Sequence, residues 1–206
     1  MVNLFQERSI NELFDSTLKK VNSRINDVED GEIIQLELID IAKNITSRFI
    51  IRELDVDFDS RSSEVVMVNI PGSYFPITFF ADKNKSYPCA KVNYTFTVSS
   101  NNTDLLTVRP NSSSLEYSIR AEIGNNWFTI GVQTQYANTN LSKEVTENVK
   151  NQMRKTLSTL KEEIAALNKE IKTFNDNLEG KILNILEQKR QALVIRNKLN
   201  DDLNQL

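Results

Sequence analysis

Apolar positions along this chain recur with three different periods, and each change of period marks a change of element. Ile10, Leu13, Phe14, Val21, Ile25 and Val28 follow at helical intervals until Gly31, and Ser9 with Glu12 has the spacing of a capping box. A first amphipathic helix is expected there. Ile34, Leu38, Ile41, Ala42 and Ile45 predict a second, shorter helix, although their β-branched content leaves a strand open.

From Phe49 the period changes to two. Leu54, Val56 and Phe58 alternate with Asp55, Asp57 and Asp59, as in a half-buried strand. Val92, Tyr94, Phe96 and Val98 form a second run; Leu115, Tyr117, Ile119, Ala121 and Ile123 a third; Phe128, Ile130 and Val132 a fourth. Turn-forming clusters separate them, among them Pro71-Gly72, Asp82-Lys-Asn84, Pro110-Asn-Ser-Ser113 and Gly124-Asn-Asn126. Short strands with one wet face and no helices between them predict an antiparallel sandwich, or an open barrel, of about seven strands.

After Asn140 the pattern is helical again, with Ser142 as the expected N-cap and Glu144 and Glu147 near the first turn. Val145, Val149, Met153, Leu157, Leu160, Ile164, Leu167, Ile171, Phe174 and Leu178 recur every three or four residues, a near-heptad seam. Asn175-Asp-Asn-Leu-Glu-Gly180 reads as a break, after which Ile182, Ile185, Leu186, Leu193, Leu199, Leu203 and Leu206 resume an apolar face. The expected fold is therefore α+β. Its N-terminal helices occupy 1–48, a β-sandwich 49–138, and a coiled-coil-like antiparallel helical hairpin 139–206. The seam runs longer than one hairpin partner requires. Met153, Leu157, Leu160, Ile164, Leu167 and Ile171 are accordingly the candidate interface with another chain, with packing inside the chain as the alternative.

Composition narrows the function. The 206 residues suffice for a substantial core, and a net charge of −3 lacks the basic surplus of a protein that grips phosphates, which argues against nucleic acid. A single cysteine, Cys89, allows neither an intrachain disulfide nor a thiolate metal cluster, and fits a reducing, cytoplasmic setting. Sequons such as those at Asn44, Asn93, Asn101, Asn111 and Asn140 are what chance provides in a chain rich in Asn, Ser and Thr. Neither a leader-like apolar region nor a run long enough to span a membrane is present, so no membrane partner is expected.

Candidate chemistry is sparse. Histidine is absent, which removes the usual general base and the commonest neutral metal ligand. Asp55, Asp57 and Asp59 share a strand face that could hold calcium, but Ser60 and Val66 stand where an EF-hand needs Gly and Glu, so a solvated face is favoured. Ser158-x-x-Lys161 matches a hydrolase pair but falls within the heptad helix, and Cys89 has no histidine to activate it. Glycine-rich phosphate loops are missing. Lys189, Arg190, Arg196 and Lys198 suggest a basic stripe, with Asn93, Tyr94 and Trp127 as contacts for nucleic acid; Asp201 and Asp202 dilute it, and a solvated helix face is the stronger reading. The chain is thus expected to be non-enzymatic, without metal or cofactor.

The motifs Tyr94-Thr-Phe-Thr-Val98 and Leu105-Leu-Thr-Val-Arg-Pro110-Asn-Ser112, with a helical hairpin around Phe174-Asn175, give a layout that resembles an uncharacterised bacterial defence-type family. The resemblance spans almost the whole chain. It implies an N-terminal module that precedes an effector domain of restriction-endonuclease-like or TIR type, beginning just after Leu203-Asn-Gln-Leu206. Arg109-Pro110 and Phe174-Asn175 would then be architectural. The implied role is a non-catalytic oligomerisation or sensing module in anti-phage defence, with a second copy or an effector in cis or trans as partner. The alternative is an adaptor whose β-sandwich binds protein, peptide or nucleic acid.

Overall fold

The capping box predicted at Ser9 forms, and it starts the first helix. In the computed structural model, which describes residues 1–204, Ser9 Oγ accepts from the Glu12 N–H at 3.2 Å, and Glu12 Oε2 accepts from the Ser9 N–H at 3.3 Å. Helix α1 then runs Ile10–Asn26. The second predicted helix is two helices, α2 (Asp30–Gln35) and α3 (Leu38–Phe49), because Leu36 is extended. The strand alternative is not realised there.

Among the described residues seven strands form, in chain order β1 (Val2–Asn3), β2 (Arg8–Ser9), β3 (Val56–Pro71), β4 (Ser86–Val98), β5 (Val108–Arg109), β6 (Arg120–Ile123) and β7 (Trp127–Gln133). They do not make two facing sheets of similar size. Five of them build one antiparallel sheet in the order β1-β6-β7-β4-β3, and β2 with β5 makes a two-stranded ribbon. The sandwich reading is corrected to a single sheet with unlike faces. Phe96 pairs with Phe128, Val92 with Val132 and Ala121 with Ile130 on one face, all of them buried. The opposite face carries Asn93, Thr95, Thr129 and Gln133 along the same strands, and Thr95 and Thr129 hydroxyls meet at 2.7 Å. A face this polar cannot seal against a second sheet.

The run Leu115–Ile119 is buried at both ends but leaves the ladder. The Ser114 N–H donates to Glu163 Oε1 at 3.0 Å, the Tyr117 hydroxyl meets Thr159 Oγ1 at 3.2 Å, and the Ile119 carbonyl accepts from the Leu4 N–H at 2.9 Å. Those partners lie far away in sequence, so alternation alone reads as a strand what tertiary hydrogen bonds make into a loop.

The helical hairpin predicted over 139–206 is also corrected. Lys143–Leu203 is one continuous helix, α4, of 61 residues. Each breaking residue in 175–180 is satisfied without leaving it. Asp176 pairs with Lys172 one turn earlier at 2.9 Å, Asn177 Nδ2 donates to the Thr173 carbonyl at 2.7 Å, and Leu178 is fully buried. Gly180 has an ordinary backbone, with open space where a Cβ would stand. In a helix interior such a glycine costs about 1 kcal/mol relative to alanine. Gly180→Ala is therefore expected to raise the urea midpoint; a loss of stability would restore a turn at this position. Leu206, the last member of the predicted apolar face, lies outside the described residues.

The chain divides into two compact units that cut across the expected boundaries at 48 and 138. The first comprises Met1–Arg8 and Leu54–Leu167, the second Ser9–Glu53 and Asn168–Leu206. In the first, the sheet is accompanied by α4 up to Leu167. Its core holds Leu4, Phe5, Phe96, Phe128 and Leu106 with Val149, Met153, Leu160, Ile164 and Leu167. In the second, α1, α2 and α3 share a core with the rest of α4, built from Val21, Ile25, Ile33, Ala42, Ile45, Phe174, Leu178, Ile182 and Leu186. Phe14 stacks on Phe174 at 4.3 Å, and Asn175 clamps Ile51, accepting from its N–H at 3.0 Å and donating to its carbonyl at 2.8 Å. The Phe174-Asn175 pair is thus structural in this chain.

Candidate functional site

Five of the six seam residues marked as an interface are used up inside the chain. Met153, Leu160, Ile164, Leu167 and Ile171 are buried, and Leu157 is half-buried. Heptad spacing specifies that a face is covered and is silent on which chain covers it. At those five positions the seam is core within the chain. Glu163, beside the seam, is a feature that spacing did not single out: it is buried, and its Oε1 serves the Ser114 N–H.

The basic stripe is likewise consumed within the second unit. Lys189 donates to the carbonyls of Ile25 at 3.1 Å and Val28 at 3.3 Å, at and just past the C-terminal end of α1, where a cation also suits the helix dipole. Arg190 reaches the Ile33 and Leu36 carbonyls at the end of α2, and Arg196 pairs with Asp30 at 2.9 Å. Two of the four cations therefore meet carbonyls at helix ends, and a third is held in an ion pair. Asn93 and Trp127 lie on the face of the sheet opposite to Tyr94, which leaves no shared aromatic surface for a nucleic acid.

The catalytic candidates are kept apart. Ser158 Oγ donates to Glu162 Oε1 at 3.3 Å, whereas the Lys161 ammonium lies 5.3 Å above the Phe58 ring. Burial pushes the Cys89 thiol up, away from the thiolate a nucleophile needs. Asp57 turns the strand: its Oδ1 accepts from the backbone N–H groups of Asp59 and Ser60, both at 3.0 Å, next to the register shift between Asp57 and Ser62. The Ser60 side chain, and then these two N–H groups, hold its carboxyl below the ordinary range. Among the described residues no three His, Cys, Asp or Glu side chains converge as metal ligands, and no helix is long and apolar enough to cross a membrane.

Among the described residues, two stretches combine several strongly exposed apolar side chains. The first is the end of α4 beyond Leu193, its last buried residue. Ile195, Leu199 and Leu203, spaced by four on one face, are 68%, 57% and 59% exposed. The second is the loop joining β3 to β4. Its base is closed by the Gly72 N–H donating to the Lys85 carbonyl at 2.7 Å, with the Phe75 ring 5.6 Å from Tyr87 and 5.8 Å from Phe79. At its tip Ile77 and Phe80 are 88% and 91% exposed, and Phe80 takes a left-handed backbone at φ 49°. A bulky residue rarely adopts that conformation. The loop's sequence signal is a dense apolar run, Tyr74-Phe75-Pro76-Ile77-Thr78-Phe79-Phe80, enclosed by turn residues.

No protein-family model, curated protein or solved structure matches the chain.

Proposed function

We propose that this chain is a non-catalytic oligomerisation or sensing module of a bacterial, anti-phage defence-type protein, and that two copies pair through the exposed end of α4. The uncovered stripe Ile195, Leu199 and Leu203 carries this reading, because water-facing apolar residues at one-turn spacing gain stability when a second helix covers them. The stripe's charge order makes a second copy of the chain the fitting occupant. Lys198 precedes Leu199, and Asp201 and Asp202 follow it. In an antiparallel pair each copy's Lys198 then lies within about one turn of the other's two carboxylates. The defence setting and an effector in cis or trans rest on the family resemblance, and a cytoplasmic location rests on the lone cysteine.

Light scattering across a concentration series tests the pairing. The unaltered chain should approach twice its monomer mass, and Leu199→Asp should remain monomeric, melting as the unaltered chain does at dilutions where that chain is monomeric too, since the position is exposed. A strict monomer at high concentration in the unaltered chain removes oligomerisation from the proposal.

A second reading, a partner-binding adaptor, is favoured by the β3–β4 loop. Its exposed Tyr74, Ile77, Phe79 and Phe80 are bordered by Ser73, Asp82 and Lys83, the apolar centre and polar rim of a protein contact. Association that survives Leu199→Asp and disappears with Ile77→Ser and Phe80→Ser would transfer the contact to this loop.

A further inference from the structure

Glycine in a strand interior gives up packing and conformational entropy, so Gly131 in β7 calls for a reason. A Cβ at this position would stand 1.9 Å from Lys91 Cε and 2.7 Å from its Nζ. The lysine stem therefore crosses β7 through the space a side chain would fill. Gly131 pairs with Asn93, and Lys91 pairs with Gln133, so the lysine reaches back along β7 from the same face of the sheet. Since Ala121 pairs with Ile130, alternation puts Arg120 of β6 on that face too. Pairing between β6 and β7 ends at Ala121–Ile130 while β7 continues to Gln133, and the sheet opens beside the two cations.

An open pocket of about 530 Å³ lies there, lined by Lys91, Arg120 and Gly131 with Tyr74, Tyr117 and Ser118 among others, and no carboxylate lines it. Among the described residues neither Lys91 nor Arg120 has an ion-pair partner. Glu122 shares the face two residues beyond Arg120 but lies outside the lining. Tyr117 is held by the hydrogen bond between its hydroxyl and Thr159, and it exposes half of its surface, while Tyr74 is more open still.

We infer that this pocket binds a small organic phosphate carrying a flat ring, of the nucleoside monophosphate class. Lys91 supplies a point charge and Arg120 a planar fork of donors to the phosphate. Tyr74 and Tyr117 offer the ring a stacking surface. The volume suits a ligand of this size. Recognition comes from side chains, which is compatible with the absence of a glycine-rich phosphate loop. The inference goes beyond the proposed pairing and does not depend on it, because every lining residue belongs to the first unit.

The test is titration calorimetry of the full chain at low ionic strength, with AMP and inorganic phosphate as probes. AMP should bind saturably and more tightly than phosphate. Lys91→Gln and Arg120→Gln should each weaken AMP by about tenfold or more, and added salt should weaken it further. Gly131→Ala should do the same while keeping both charges, because the new methyl displaces the lysine. Lys91→Arg should retain part of the affinity, and Leu199→Asp should bind AMP as the unaltered chain does. No saturable binding of either probe at millimolar concentration, or AMP affinity indifferent to the Lys91 and Arg120 changes in chains with unaltered melting, overturns the inference. Phosphate binding as tightly as AMP overturns its ring component.

Discussion

Leu160→Asp should destabilise the chain by more than about 4 kcal/mol, combining a lost core side chain with a carboxylate placed where no water reaches it. Leu160 is fully buried in the first unit, near the middle of the apolar positions that α4 contributes there. It has Glu163 as a near neighbour along the helix, a buried acid one of whose oxygens has no hydrogen-bond partner, so a second carboxylate could not be neutralised locally. The check is the urea midpoint followed by circular dichroism. Leu157→Asp is the internal comparison: it stands on the same helix, is half-buried, and should cost distinctly less. Equal melting of the unaltered chain and the Leu160 variant would mean that this part of α4 packs through another face.

Asn175→Ala should cost about 2 kcal/mol, because it strands two backbone groups of Ile51 that one amide side chain now satisfies. The clamp lies in the second unit, where Ile51 follows the end of α3 and has no helical partner for its N–H. Hydrogen exchange separates this account from a general loosening. The Ile51 amide should exchange faster in the variant by more than the global change in stability requires, since its acceptor is removed. If it stays as protected as its neighbours, the asparagine does not hold this segment.

The two variants also show where the sequence was legible. The seam around Leu160 could be read because helical burial follows a local period, and each position signals its neighbours three and four residues away. Most of its extent was legible too: from Val145 to Leu178 the seam positions are buried except Val145 and Leu157, which are half-buried. Asn175 was misread for the opposite reason. Asparagine, aspartate and glycine close together are the ordinary signal of a turn. Here Ile51, more than a hundred residues earlier, takes up the asparagine side chain, and the helix continues. The basic stripe on the last helix failed in the same way, because the carbonyls at the ends of α1 and α2 that Lys189 and Arg190 meet are far from them in sequence.

The uncovered surfaces fared differently again. Leu199 and Leu203 were read as part of an apolar face expected to be covered, and periodicity cannot distinguish a buried stripe from an exposed one. The loop from Tyr74 to Phe80 has no alternation that marks an element, although its aromatic density is plain in the sequence. The pocket beside Gly131 had no local signal, since Lys91, Arg120 and Gly131 come from three strands and meet only through their register.

From the sequence alone follow the α+β class, the capped first helix, the places of the long strands β4 and β7, and the seam of α4. All of these are set by interactions within a few residues, the range over which a period or a cap can act. Tertiary structure decided that one sheet forms with a polar face, that the apparent hairpin is a single helix, and that residues 1–8 join the sheet-containing unit. It also decided which apolar stripe remains exposed. Those outcomes depend on which distant groups satisfy each backbone amide and cover each apolar side chain, and such pairings leave no periodic trace along the chain.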